Sequence, residues 1–415
     1  MIIGLGPEYN YPKKFENWSK DNTEFASNHG ASLISRTLIK QFNGEFISVN
    51  QFTHVEKLRK QYDRCIIAFA THVTTWRDVS VYTNFLEKLK LPTYAFSLGV
   101  QDYSGNTKGF LNIHPSFKRL LEIVSEHSKF IGVRGPHTAA ILAKNGFNNV
   151  VSIGCPTVYW NLDGSLEVKK STSFNNQALV YQPTISSKEG IHLLKDIPII
   201  GQDFLDEVVF TDNLRDDIEL KRITDKEYSE YGNRDKALDL IKENGVFHKT
   251  FQEWFDYIGS KDFIIGPRLH GCVCALIQGI PAVMFARDLR VQEIAEFYNI
   301  PHVTYKNLPS KKNLHQIYEE ADYTKFNETY KIRYNNYVKF LAENKLDSNL
   351  DSTSLINDLM YTNQDIRTMN NILNKDIQDI KLELNEFKHA LQTADALYKG
   401  LGKIPFIKKL GKSIN

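Results

Sequence analysis

Two segments of the chain place charged or titratable side chains directly after a predicted buried strand. In the first segment, Arg134 follows the apolar run Phe130 to Val133 and stands just before the start of a predicted helix. A guanidinium is always charged, its fork matches a carboxylate or a phosphate, and the free amides of a helix start add affinity for an anion. This segment therefore predicts an anion site; a surface arginine that ends a strand is the alternative.

The second segment reads Asp262-Phe-Ile-Ile-Gly-Pro-Arg-Leu-His-Gly. Its Gly-Pro turn presents Arg268 and His270 where a strand ends and a helix of small residues begins. A cation that holds an anion beside a group that titrates near neutral pH can act as a catalytic pair, whereas His270 alone could be a capped structural histidine. Ligands of open α/β sheets bind beyond the carboxyl ends of the strands, so we expect both segments to face one cleft.

Two further residues follow predicted strands and are weaker candidates. His72 is a candidate for contact with an acceptor substrate, and a solvated loop histidine is the alternative. Arg290 follows the predicted strand Ala282 to Phe285 and could reach the cleft. Its neighbours Arg287, Asp288 and Glu293 would equally suit a salt bridge at a helix start.

A metal site near His270 is not predicted. Cys272 and Cys274 resemble ligands beside it, but on one helix their side chains would lie about 200° apart. No fourth ligand stands nearby in sequence, as a tetrahedral site would require. We therefore expect chemistry without a metal or a cofactor.

Short apolar β-rich runs alternate with amphipathic stretches, which is typical of βα units around a parallel sheet. The predicted strands are Arg64 to Ala70, Thr93 to Ser97, Phe130 to Val133, Val150 to Ile153, Ala178 to Gln182, Ile197 to Gly201, Asp262 to Ile265 and Ala282 to Phe285. The predicted helices include Ala31 to Gln41, Pro136 to Lys144 and one that begins near Leu269. The pattern predicts an α/β fold with two doubly wound, Rossmann-like domains in a GT-B-like arrangement, followed by a helical extension.

The predicted organisation has five parts. They are an N-terminal α/β domain (1–160), a polar linker (161–176), a C-terminal α/β domain with a final helix (177–349), a coiled-coil helix (350–395) and a basic amphipathic tail (396–415).

The last two parts suggest partners. A heptad seam runs through 356–394, with Asn363 and Asn370 at a positions, and predicts a homodimer through a two-stranded coil; a long helix packed on the body is the alternative. Residues 396–415 interleave five lysines with apolar side chains and contain no acidic residue. This composition predicts contact with an anionic membrane surface, and a solvated tail is the alternative.

Composition limits the functional class. The 415 residues carry a formal net charge of +2, so the overall charge gives no argument for nucleic acid. There is no apolar run of a length suited to a signal peptide or a membrane span, and the four cysteines lack a disulfide-framework spacing. We therefore expect a cytoplasmic protein that is peripheral on the inner face of the plasma membrane.

Several motifs resemble those of the polysaccharide pyruvyl transferase family. They are Arg134-Gly-Pro-His-Thr, Ile153-Gly-Cys-Pro-Thr, Pro267-Arg-Leu-His-Gly and Gly279-Ile-Pro-Ala-Val, and the resemblance covers roughly residues 25 to 305. The Arg-Leu-His-Gly block is the most specific of them.

The resemblance implies a GT-B-like fold and a transferase that moves the enolpyruvyl group of phosphoenolpyruvate onto a sugar. The product would be a pyruvate ketal on a bacterial-type surface polysaccharide or its lipid-linked precursor, with release of phosphate. Carried over by motif, Arg134 and Arg268 would bind the phosphate and carboxylate of the donor, and His270 would be the acid/base. Thr138 and Asn28 would be further substrate-binding residues.

The sequence departs from the family pattern at two positions. Ala31 stands where an early motif has aspartate, and Cys155 stands where an acidic residue often follows the second glycine. Both departures concern the acceptor side. Two other functions fit the same pattern: a GT-B glycosyltransferase that uses a nucleotide sugar, and a non-catalytic scaffold of a polysaccharide assembly complex.

Overall fold

The computed structural model describes residues 1–8, 28–101, 112–186, 190–210, 234–304 and 312–352, together with some residues between 371 and 388. Strands and helices alternate through these ranges. The strands are β1 (Ile2–Gly4), β2 (Cys65–Ala68), β3 (Thr93–Phe96), β4 (Ile131–Val133), β5 (Val150–Ser152), β6 (Gln177–Val180), β7 (Ile199–Ile200), β8 (Gly245–Val246), β9 (Phe263–Gly266), β10 (Ala282–Ala286) and β11 (His302–Thr304).

The α-helices lie between these strands and after the last of them. They are α1 (His29–Phe42), α2 (Val55–Gln61), α3 (Ser80–Leu89), α4 (Pro115–His127), α5 (Pro136–Lys144), α6 (Phe204–Phe210), α7 (Arg234–Asn244), α8 (Phe251–Gly259), α9 (Leu269–Leu276), α10 (Leu289–Tyr298), α11 (Leu314–Glu320) and α12 (Thr324–Glu343). Short 3₁₀ turns occur at Val49–Thr53, Pro156–Tyr159, Pro183–Ser186 and Ile191–Leu194.

The second half of the chain forms a parallel sheet with the order β8-β7-β6-β9-β10-β11. The chain builds outward from β6 in one direction and then returns to β9 on the other side. This is the strand order of a doubly wound sheet, and its reversal lies between β6 and β9. The carboxyl ends of β6 and β9 are therefore the expected place for a ligand.

The first half of the chain forms parallel strands that follow chain order. β1, β2 and β3 pair in that order, β4 pairs with β5, and a bridge between Leu98 and Val133 joins the two groups. The buried residues of these strands are mostly Ile, Val and Ala, as expected for a parallel sheet covered by helices.

Helix α12 packs back on the first half of the chain. The ring of its Phe340 lies 5.5 Å from that of Phe96 on β3, and Tyr337 donates a hydrogen bond of 2.7 Å to Gln41 on α1. Just after the helix, Asn344 pairs with both the amide and the carbonyl of Phe130. The final helix of the predicted C-terminal domain is thus a link between the two halves.

The predicted α/β fold with parallel sheets is confirmed. Every predicted strand is present, most of them shorter at one or both ends, and residues 161–176 form neither helix nor strand. The predicted strands did not include β1, β8 or β11, which have three, two and three residues and carry no readable alternation. The GT-B-like arrangement of the two domains stays a prediction.

Most of the predicted coiled coil and all of the predicted tail lie outside the described residues. Those between 371 and 388 that are described are helical, and on the predicted seam Ile377 and Leu384 are 48% and 50% exposed. At these two positions the helix does not pack on the body. Within the described ranges, no helix combines the length and the apolar character needed to cross a membrane.

Candidate active site

The strand reversal of the second sheet brings Arg268 and His270 to its carboxyl edge. β9 ends at Gly266, whose φ of +149° suits glycine, and a Cβ there would lie 2.3 Å from the carbonyl oxygen of Val180 on β6. Only glycine therefore allows β9 to end this close to β6. Arg268 caps α9, and His270 lies in its first turn.

Arg134 enters the same region from the carboxyl end of β4. Its side chain is 1% exposed, and Nε donates a hydrogen bond of 3.4 Å to the hydroxyl of Ser97, while Nη2 has no hydrogen-bond partner among the described residues. A Cβ on Gly99 would lie 2.6 Å from Cδ of Arg134, so this glycine makes room for the side chain. A buried guanidinium with one long hydrogen bond is costly unless an anion accompanies it.

His270 lies where the two halves of the chain meet. A Cβ on Gly30, in the first turn of α1, would lie 2.7 Å from Cβ of His270, so α1 can start this close to the histidine only with glycine there. The Nε2 atom of His270 is 3.6 Å from Sγ of Cys155. Burial, with the nearby charges of Arg134 and Arg290, holds the pKa of His270 well below its ordinary value. The imidazole is therefore neutral at physiological pH.

Arg268 is engaged by two carboxylates. Its Nη2 pairs with Asp203 and lies 3.0 Å from Oδ2 of Asp206, and its Nε donates to the carbonyl of Tyr181 at 2.8 Å. The strand-end pattern predicted a cation that holds an anion beside His270, and the family resemblance implied that this anion belongs to the donor. In the structure, protein carboxylates already occupy part of its fork.

Asp206 is the more deeply buried of the two carboxylates. Its side chain is 2% exposed, against 22% for Asp203. Burial and the charge of Asp203 raise the pKa of Asp206 to about 7, in spite of the opposing effect of Arg268. The pair can therefore hold a proton near neutral pH, so this cluster combines a cation with a carboxyl group that titrates in the physiological range.

Arg290 and Thr138 are held by acidic residues of α10. Arg290 binds Asp288 at 2.8 Å, and Asp288 also caps α10 through the amide of Val291. Thr138 is buried, its hydroxyl donates to Glu293 at 2.8 Å and accepts from the amide of Val100 at 3.2 Å, and its contact with a substrate stays a prediction. Thr138 therefore joins α5 to α10, and Arg290 acts on His270 through its charge.

His72 is buried beside two arginines. It is 8% exposed, stacks on Phe69 at 4.0 Å, and its Nε2 lies 3.4 Å from Nη1 of Arg77. Burial, with the charges of Arg77 and Arg134, holds the pKa of His72 well below its ordinary value. The alternative of a solvated loop histidine is wrong, and His72 belongs to the surroundings of Arg134.

Asn28 is the N-cap of α1, and its Oδ1 accepts a hydrogen bond of 2.8 Å from the amide of Ala31. It pairs with Asp203 through a backbone bridge. Asn28 therefore positions the start of α1 beside Asp203, the carboxylate that pairs with Arg268. Its contact with a substrate stays a prediction.

A model of the polysaccharide pyruvyl transferase family matches residues 28–288, which is more than half of the chain. The chain belongs to this family. The match spans the segments that carry Asn28, Arg134, Cys155, Arg268 and His270, the residues that the fold brings together.

Some solved structures are weakly similar to this chain. The UDP-GlcNAc 2-epimerase from Neisseria meningitidis bound to UDP-GlcNAc has 9% identity and a TM-score of 0.37, over 71% of this chain and 80% of that chain. The UDP-N-acetylglucosamine 2-epimerase from Rickettsia bellii has 10% identity and a TM-score of 0.39, over 82% and 95% of the two chains. A search of curated proteins finds no match.

The site residues that the sequence analysis did not identify follow strand β7. Gln202, Asp203 and Asp206 lie directly beyond that strand, so the strand-end rule that singled out Arg134 would also have reached them. Gln202 lies between Gly30 and Gly271 and is 3% exposed, and its Oε1 has no hydrogen-bond partner within the described ranges. The metal alternative finds no support in the placement of Cys272, whose thiol faces the carbonyls of Gly266 and Val283 instead of His270.

Proposed function

We propose that this protein transfers the enolpyruvyl group of phosphoenolpyruvate to a saccharide acceptor and forms a pyruvate ketal. The observation that carries the proposal is Arg134, a buried guanidinium whose Nη2 has no hydrogen-bond partner in the described part of the chain and whose charge acts on His270. Phosphoenolpyruvate holds a carboxylate and a phosphate on a three-carbon frame. It can therefore place one anionic group on Arg134 while its double bond lies near the imidazole.

Ketal formation requires the transfer of protons that a single histidine can handle. The methylene carbon of the donor gains a proton and becomes a methyl group, and two hydroxyl oxygens of the sugar bond to the central carbon. One hydroxyl proton balances the proton gained by the methylene, and the other leaves with the phosphate. His270 is the residue that we propose to move these protons, and such acid/base steps typically contribute about a hundredfold to ten-thousandfold.

Arg268 is the second arginine of the proposed donor site. Its fork is shared with Asp203, whose side chain is partly exposed, and with the buried Asp206. Because Nη2 of Arg268 is already shared by two protein carboxylates, we propose that Arg134 contributes more to donor affinity than Arg268. Asn28, Thr138, His72 and Arg290 support these groups through the contacts described above.

Thermal unfolding with added ligand tests the donor. We expect phosphoenolpyruvate to raise the melting temperature, because a ligand that binds only the folded state stabilises it by about 2.7 kcal/mol at a hundred times its dissociation constant. A nucleoside diphosphate should have no effect. Stabilisation by the nucleotide alone would contradict the proposal and favour a glycosyltransferase that uses a nucleotide sugar. If neither ligand acts, and Arg134 and His270 can be replaced without loss of surface polymer, a scaffold is the better reading.

We also propose that the C-terminal extension holds this site near its acceptor. Ile377 and Leu384 lie on the heptad seam and are about half exposed in the single chain, so a second copy could cover them. The lysines of 396–415 would then face the anionic inner surface of the plasma membrane, where a lipid-linked acceptor would lie.

Two deletions test the extension. Removal of 396–415 should abolish flotation with vesicles that contain anionic lipid and leave the activity on a soluble acceptor unchanged, because the cleft is built from residues before 305. Removal of 353–415 should in addition convert a dimer into a monomer, as measured by sedimentation. Unchanged flotation after the first deletion would contradict the membrane proposal. An unchanged ratio of the sedimentation mass to the mass of one chain after the second deletion would contradict the dimer.

A further inference from the structure

Cys155 touches the ring of His270 but belongs to the other half of the chain. It follows β5, is fully buried, and its Sγ lies 3.6 Å from Nε2 of His270. This distance is within the range of a hydrogen bond to sulfur. The contact joins the end of the first group of strands to the first turn of α9.

The backbone of Cys155 is held from two sides. The hydroxyl of Tyr298, on α10, accepts a hydrogen bond of 3.0 Å from the amide of Cys155 and donates one of 3.1 Å to its carbonyl oxygen. The preceding residue, Gly154, has a φ of +76°, and a Cβ there would lie 2.0 Å from the Tyr298 hydroxyl oxygen. Only glycine permits this close approach, so the position of Cys155 is fixed by its neighbours.

The thiol is oriented as well. The Oγ1 atom of Thr157 donates a hydrogen bond of 3.0 Å to Sγ of Cys155. Because Sγ accepts from Thr157, its own proton is available for Nε2 of His270. A donor at Nε2 selects the neutral tautomer that carries its proton on Nδ1.

We propose that Cys155 is a positioning residue of the active site: held by Thr157 and Tyr298, its thiol fixes the ring of His270 through Nε2 and leaves Nδ1 as the atom that exchanges protons with the substrate. The identity of that substrate rests on the function proposed above, whereas the geometry of the ring does not.

The charges that act on His270 come from two other elements. Arg134 approaches from the end of β4 and Arg290 from α10, and both oppose a positive charge on the ring. Arg268 and Asp206, near the start of α9, are bound to each other. A change at Cys155 therefore alters the contact at Nε2 without removing any of these charges.

Nitrogen NMR of the imidazole tests the tautomer without any substrate. In the wild type we expect His270 to show a protonated Nδ1 and an unprotonated Nε2, with the signals assigned by their loss in His270→Gln. In Cys155→Ala the two tautomers should mix. Cys272→Ala is the matched control, because Cys272 is an equally buried cysteine on the helix of His270 whose thiol faces backbone carbonyls.

Enzyme kinetics provide the second test of this proposal. Cys155→Ala should lower kcat by roughly tenfold to a hundredfold, the effect seen when the outer partner of a functional histidine is removed, with the donor KM nearly unchanged. Cys155→Ser should restore most of kcat. Cys155→Asp should move the pH limb that belongs to His270 to higher pH, because a carboxylate favours the imidazolium.

Two results would overturn the proposal. One is an unchanged tautomer and pH profile in Cys155→Ala; the other is an equal change in Cys272→Ala, which would point to general packing of α9. If the wild type transferred no pyruvyl group at all, the NMR arm would still decide the role of Cys155, so failure of the proposed function can be told apart from failure of this inference.

Discussion

Replacing Arg134 by methionine is expected to abolish pyruvyl transfer and to leave the protein at least as stable as the wild type. The guanidinium is 1% exposed and makes one long hydrogen bond, of 3.4 Å, to Ser97. Removing a poorly paired buried charge and filling its space with an apolar side chain is often neutral or stabilising. Activity should fall by at least about a hundredfold, because one charge-assisted contact to the developing anion is worth that much.

The measurements are acceptor-dependent phosphate release and the midpoint of denaturant unfolding. A loss of activity together with strong destabilisation would contradict the proposal that Arg134 is held for an anionic substrate, because it would give the guanidinium a structural role. Arg119 is the control, because no effect is expected at its position. It pairs with Glu87 and Glu122 on the surface, so Arg119→Met should change neither quantity appreciably.

Arg268→Met provides the informative contrast, since the same change is made at an arginine that has carboxylate partners. It removes the cation that offsets Asp203 and the buried Asp206, so we expect unfolding to become easier by about 3 kcal/mol. The pKa of Asp206 is raised from its ordinary 3.8 to about 7, which means that the folded state binds this proton more tightly than the unfolded state. Stability from this group therefore falls as pH rises from about 4 to 7, and in the variant the fall should extend above pH 7.

The strand-end rule explains how much of this site could be predicted. It located Arg134, Arg268 and His270 because each lies within five residues of a buried apolar run, and such runs are visible in the sequence. The same rule reaches Asp203 and Asp206 after β7, but it could not show that they pair with Arg268, because they stand more than 60 residues away from it in the chain. The contact between Cys155 and His270 likewise depends on how the two halves of the chain meet.

The fold, like the site, could be predicted only in part. Alternating apolar runs and amphipathic stretches predict parallel strands, because βα units place helices over both faces of a sheet. The strand order β8-β7-β6-β9-β10-β11 depends on which strands pair in space. β7 lies within the predicted strand Ile197 to Gly201, but no local pattern shows that β6 pairs with β9, so the reversal that creates the site is a property of the folded chain.

His270 is expected to gain a proton when phosphoenolpyruvate binds. In the free protein, burial and the charges of Arg134 and Arg290 hold its pKa well below the ordinary value, so the ring is neutral. The carboxylate and phosphate of the donor bring negative charge beside these arginines and oppose their effect on the ring. The pKa of His270 should therefore rise on binding. The added proton enters at Nε2, where the contact with Cys155 reverses so that Nε2 donates to Sγ, and the imidazolium can then protonate the methylene carbon from Nδ1.

Calorimetric titration in two buffers of different ionisation enthalpy measures this proton. The wild type should take up close to one proton per donor bound near neutral pH, whereas His270→Gln should bind the donor with little proton uptake and lose about a hundredfold to ten-thousandfold in phosphate release. His315→Asn is the control, because His315 is exposed on α11 and should leave both values unchanged. Equal proton uptake in wild type and His270→Gln would place the acid on another group, and Asp206, with a pKa of about 7, would then be the first to replace. The acid of the reaction would in that case lie beside Arg268, and the donor would have to approach from the second sheet.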